Sequence, residues 1–138
     1  MNVKMFSFFS LIIIMLIGCT SRKPSAVRPD IIPIPFKADM KGGFFEINRK
    51  TEIVMNSTDG LVQTVADGLK QKLSDATGNA IITGQNTGNQ PRNSIFLNLD
   101  RSLMEETGKE GYNLSVNKSK IEISAAEPAG LFYGVQTL

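Results

Sequence analysis

Of the 138 residues in the chain, none is a histidine. That absence removes imidazole acid–base catalysis, Ser-His and Cys-His nucleophile pairs, and histidine-ligated zinc. The one adjacent pair of carboxylates, Glu105-Glu106, could do acid–base work only if apolar surroundings raised one pKa. Its neighbours from Arg101 to Lys109 are largely polar, so the pair is read as a solvated helix face or loop. No glycine-rich phosphate loop is present, and a net charge of +2 without a dense basic stripe argues against nucleic acid. Tyr112 and Tyr133 could stack on a sugar, but their positions in a strand and a helix favour core packing. Gly130 and Gly134 are four residues apart, in a segment far too short to cross a bilayer, and are read as sites of close backbone approach. The reading therefore assigns this chain no catalytic residue, no metal and no cofactor.

The remaining reactive side chain is Cys19, the only cysteine. Lys4 precedes an apolar run from Phe6 to Ile17, shorter than the ~20 residues of a membrane-spanning helix but typical of a secretory signal. Leu16-Ile17-Gly18-Cys19 resembles the lipobox of bacterial lipoproteins, which implies cleavage before Cys19 and diacylation of its thiol. The expected organisation is a signal peptide over 1–18, a lipidated cysteine and tether over 19–30, and a domain over 31–138. Its location would be the cell envelope, lipid-anchored. Lipidation would leave no thiol for a disulfide. Arg22, Lys23 and Arg28 are assigned to a solvated tether.

The elements that must position any site follow. Ile31-Ile32-Pro33-Ile34-Pro35 predicts an extended entry or edge strand, and Phe44–Asn48 and Thr51–Met55 predict two short strands. Between Gly60 and Ala76, Leu61, Val65, Leu69, Leu73 and Ala76 make a helical stripe, with Ser57, Thr58 or Asp59 as N-cap and Gly78 as the stop. Gly84–Asn93 is expected to be a loop. Ile95, Leu97 and Leu99 alternate as in a strand, and Tyr112–Val116 and Ile121–Ala125 flank Asn117–Lys120 as a hairpin. From Pro128, Leu131, Val135 and Leu138 share one helical face while Phe132 and Tyr133 point elsewhere, toward an expected partner domain; the helix has no stop signal and is expected to belong to a longer chain. The predicted class is α+β, a mostly antiparallel sheet with two helices on one face.

Three segments then resemble the N-terminal, non-catalytic, zincin-like domain of the β-N-acetylhexosaminidases of glycoside hydrolase family 20. They are Ile31–Pro35 with Gly43-Phe44-Phe45, Glu110–Val116, and Ala129-Gly130-Leu131-Phe132-Tyr133-Gly134-Val135-Gln136-Thr137-Leu138. The resemblance implies a downstream (β/α)₈ barrel that removes terminal N-acetylhexosamines from glycans with retention. The substrate's acetamido oxygen would attack the anomeric carbon, assisted by an adjacent Asp-Glu pair. No Asp-Glu pair occurs here, so the chain by itself is expected to be inactive. The alternative reading is a free-standing envelope lipoprotein acting as a binding or interaction module, and the reading frame beyond Leu138 separates the two. Because stable anchoring takes more than one acyl chain, Cys19→Ser is expected to move the protein out of the membrane fraction of a bacterial host. Identical partitioning of wild type and variant would exclude lipidation.

Overall fold

A computed structural model describes residues 31, 34–40, 42–88 and 91–138. The chain divides into two units, one of residues 1–30 with 36–40 and one of residues 31–35 with 41–138. The second contains the domain. The signal, Cys19 and the tether lie outside the described residues.

In the domain, β1 (Glu52–Met55) leads into α1 (Gly60–Thr77), β2 (Ile82–Gln85) and β3 (Ser94–Leu99). A 3₁₀ turn (Arg101–Leu103) and the short α2 (Met104–Thr107) precede β4 (Asn113–Val116), β5 (Lys120–Ala125) and α3 (Pro128–Gln136). The strands form one sheet in the order β2-β1-β3-β5-β4. The pairs β1–β2, β1–β3 and β3–β5 are parallel, and only β4–β5 is antiparallel. The sheet is therefore mixed and mostly parallel, which corrects the mostly antiparallel expectation. An 18-residue helix separates β1 from β2 and returns the chain to the end where it started, and that connection forces a parallel pair.

The expected hairpin is present, with Leu114 opposite Ile123 and Val116 opposite Ile121. The tract 44–48 forms no strand, although Phe45 and Ile47 still pack on the core. Residues Ile82–Gln85 form the edge strand β2, which takes in Gly84 and Gln85, the first two residues of the expected loop. Its sequence, Ile-Thr-Gly-Gln, offers one apolar side chain, so pairing with β1 and not local patterning makes it a strand.

Helix α1 starts where Asp59 caps it, the carboxylate accepting from the Leu61 N–H at 2.8 Å. It stops at Gly78, whose φ of 69° is left-handed and whose N–H reaches the Ser74 carbonyl. Its buried face is Val62, Ala66 and Leu69, flanked by Val65 and Leu73. Leu61 and Ala76, assigned to the buried stripe from sequence, are exposed. A row of residues spaced by four drifts about 40° per step around a helix of 3.6 residues per turn, which carries Leu61, the start of the row, off the core-facing side; Ala76 lies in the last turn, just before the Gly78 stop.

Against the helices the sheet presents two rows in register, Ile53–Ile95–Ile121 and Met55–Leu97–Ile123. Leu131 and Val135 of α3 join the same core. Full burial of each such side chain contributes about 1.5–3 kcal/mol. Every core residue lies between Phe45 and Val135, so residues 20–138 retain the whole described core.

Helix α3 reaches the sheet through two glycines. A methyl group at Gly130 would overlap the Gly111 carbonyl oxygen and the Ala125 Cβ. At Gly134 it would overlap Ile123 Cγ2 and come within 3.2 Å of the Tyr112 ring. By contrast, Gly68 in α1 has nothing within 4 Å of the place a Cβ would occupy. Gly68→Ala is expected to raise stability by up to about 1 kcal/mol through helix propensity, whereas Gly134→Ala lowers it by about 1–3 kcal/mol through overpacking. Thermal melts of the two variants check this; shifts of the same sign would mean that α3 does not need the close approach.

Candidate functional site

Parallel sheets usually bind ligands beyond the carboxyl ends of their strands, where successive connections leave in opposite directions. Here that point lies between β1, whose connection runs to β2, and β3, whose connection runs toward β4 and β5. Asn56, the residue after β1, occupies it. Its Nδ2 donates to Asn98 Oδ1 at 2.8 Å and to the Leu99 carbonyl at 3.1 Å, while its Oδ1 accepts from the Leu99 N–H at 2.8 Å. Asn98 Nδ2 in turn donates to Ser124 Oγ at 3.1 Å. Three strands are thus tied side by side, and the polar groups that could meet a ligand are already used on one another. None of the three residues was singled out from sequence, where an asparagine before a capping Ser-Thr-Asp run reads only as a turn.

Of the carboxylates nearby, Asp100 and Glu106 are also engaged within the domain. Asp100 Oδ1 accepts from the Ser102 hydroxyl at 2.6 Å and the Ser102 N–H at 3.0 Å. These bonds hold its carboxyl below the usual range, the side-chain bond contributing most. This is a cap on the 3₁₀ turn. Glu105 and Glu106 are exposed on α2, and Glu106 accepts from Asn113 Nδ2 at 3.2 Å. No group of three or more potential metal ligands occurs among the described residues. Tyr112 packs beneath Gly134. Its hydroxyl meets Thr137 Oγ1, whose own proton goes to the Tyr133 carbonyl, so the tyrosine is the donor.

Two apolar surfaces remain. A groove of about 370 Å³ at the amino end of the sheet is lined by Phe44, Phe45, Leu73, Val116 and Leu138 among others. It lacks the placed polar groups that orient a small ligand. Leu138, expected on the buried helical face, follows the end of α3 and is 47% exposed. The other surface is the outer side of α3. Leu131 is fully buried and Val135 nearly so, while Phe132 and Tyr133 remain 47% and 44% exposed. Their rings meet edge to face, centroids 5.6 Å apart at 72°. Lys72 of α1 donates to Gln136 Oε1 at 2.7 Å and holds the two helices together beside them.

A family described as glycosyl hydrolase family 20, domain 2, matches residues 28–138. The chain belongs to that family. Among solved structures, the GH20 β-N-acetylhexosaminidase of Streptomyces coelicolor A3(2) is similar at 31% identity and a TM-score of 0.67, over 78% of this chain and 20% of that one. The N-acetyl-β-hexosaminidase of Streptomyces plicatus is similar at 30% identity and a TM-score of 0.67, over 83% and 21%. A β-hexosaminidase of Porphyromonas gingivalis is 26% identical over 133 residues, 91% of this chain and 16% of the relative. The chain thus spans about a fifth or less of the length of these family 20 relatives, and it corresponds to their accessory domain 2.

The outer side of α3 is one of the two apolar surfaces that packing within this family 20 domain leaves unsatisfied. Leu131→Ser is expected to unfold residues 20–138, because it places an unpaired hydroxyl in a core position. Phe132→Ser is expected to improve solubility with little change in melting temperature. Thermal melts and sedimentation compare the two; equal destabilisation would place Phe132 in the domain's own core.

Proposed function

We propose that this chain is the accessory domain of a β-N-acetylhexosaminidase that releases terminal non-reducing N-acetylhexosamines from glycans, with a catalytic (β/α)₈ barrel as its structural partner. The observation that carries the reading is α3, which is apolar on two sides: Leu131 and Val135 enter the sheet core, and Phe132 and Tyr133 face outward. A helix of this kind fits between two bodies. Membership of family 20 and the hexosaminidase relatives support the choice of activity.

In this reading the domain does no chemistry. Its side chains at the switch point bond to one another, and the adjacent Glu105-Glu106 pair stays exposed on a short helix. Its work is mechanical: it covers one side of the barrel through Phe132 and Tyr133. Lipid on Cys19 would hold the enzyme at the envelope, with residues 20–30 as the tether.

Purified residues 20–138 are expected to hydrolyse no chromogenic N-acetylhexosaminide, because the acid and the acetamido-orienting carboxylate would lie in the barrel. Turnover above a no-protein blank that survives repurification would refute the division of labour.

A further inference from the structure

The charged residues of the domain are sorted by the two ends of the sheet. At the carboxyl ends of the parallel strands lie Asp59, Asp100, Glu105, Glu106, Glu110 and Glu127, against Arg101 and Lys109. At the amino ends lie Arg49, Lys50, Arg92, Lys118 and Lys120, against Glu46, Glu52 and, in the last turn of α1, Asp75. Lys120 is paired with Glu122 at 2.6 Å. Arg49, Lys50, Arg92 and Lys118 are exposed, and no ion pair holds them among the described residues.

These four come from three separate turns that are bonded into one edge. Thr51 Oγ1 accepts from the Asn48 N–H and donates to Asn93 Oδ1, both at 2.9 Å, and the Asn93 carbonyl accepts from the Glu52 N–H at 3.2 Å. The Asn93 N–H donates to the Ser119 carbonyl at 2.8 Å. Asn93 takes a left-handed φ of 62° to make these contacts, a conformation asparagine tolerates better than most residues. Asn117 Oδ1 then accepts from the Ser119 and Lys120 N–H groups at 2.9 Å, which fixes the turn carrying Lys118. The cations are therefore mounted on a common rigid rim and not on independent loops.

Beside the rim stand exposed apolar side chains. Phe44 is 77% and Val116 50% exposed, and the Lys118 stem runs alongside Gly43. Arginine and lysine next to an exposed aromatic and an aliphatic residue make a surface suited to a lipid interface, where the charges meet headgroups and the apolar groups enter the boundary region. We propose that this end of the domain binds the headgroups of an anionic bilayer through Arg49, Lys50, Arg92 and Lys118, with Phe44 and Val116 at the interface. The acidic end then points away from the membrane. The inference deepens the envelope reading of the proposed function, but the rim acts whether or not Cys19 carries lipid.

The test uses residues 20–138 without lipid, so its result is independent of acylation. The protein is sedimented with phosphatidylcholine vesicles with and without phosphatidylglycerol, at low and high salt. Binding is expected only with phosphatidylglycerol, and salt weakens it, since charges at a surface are screened over about 10 Å at 0.1 M. Each cation neutralised is expected to cost about fivefold in partitioning. Arg49→Gln, Lys50→Gln, Arg92→Gln and Lys118→Gln are compared singly and together with Arg101→Gln/Lys109→Gln, which removes charge from the opposite end and should leave binding unchanged. Thermal melts establish that each variant folds. Equal binding to neutral vesicles, no loss in the rim variants, or equal loss in the opposite-end control overturns the proposal. So does retention on an anionic polysaccharide without vesicle binding.

Discussion

The contact between the glycine side of α3 and the β4–β5 hairpin is the constraint on which the remainder of the domain rests. At Gly130 and Gly134 the helix backbone lies so near Gly111, Tyr112, Ile123 and Ala125 that no side chain fits between. Two glycines in a nine-residue helix cost about 1 kcal/mol each in propensity, and a helix this short is marginal alone. The close approach offsets that cost by driving Leu131 and Val135 into the core. It also fixes the rotation of the helix, and rotation decides which residues are left outside. With the glycines against the sheet, Phe132 and Tyr133 cannot turn inward.

A separate chain of polar side chains occupies the place where a mostly parallel sheet usually binds a ligand. The crevice between β1 and β3 is held shut by the Asn56–Asn98–Ser124 chain. Each bond stabilises the fold only modestly, about 0.5–1.5 kcal/mol net, and because Asn56 is exposed, water can replace a partner that is removed. The effect is to tie β1, β3 and β5 together at the end where such sheets are otherwise open. Rigidity there suits the proposed role of the domain as a packing surface.

The two ends of the sheet differ in charge because they differ in the connections they carry. Helix starts and the 3₁₀ turn gather at the carboxyl ends, where Asp59 and Asp100 cap orphan N–H groups. Tight turns gather at the amino ends, where nothing requires a carboxylate and lysine and arginine are free to accumulate. The polarity of the domain thus follows from its topology.

What was legible in the sequence was local. A cap within Ser57–Asp59, which the structure assigns to Asp59, the stop at Gly78, the β4–β5 hairpin and the outward placement of Phe132 and Tyr133 each follow from residues within a turn or two of one another. Family membership was legible for the same reason, since the Ala129–Leu138 segment carries the glycine spacing that α3 needs. Strand order was not. Nothing near β1 signals that its neighbours are β2 and β3, because a crossover is decided by which faces can be buried together and not by the residues that connect them. Strand β2 exists only through its pairing with β1, the phase of α1 is set by the sheet beneath it, and Leu61 left the core once that phase was chosen. Nothing in the sequence around Asn56 marks it out, because its partners Asn98 and Leu99 are brought beside it only by the pairing of β1 with β3. Short-range chemistry wrote the elements, and burial, which acts between segments far apart in the chain, arranged them.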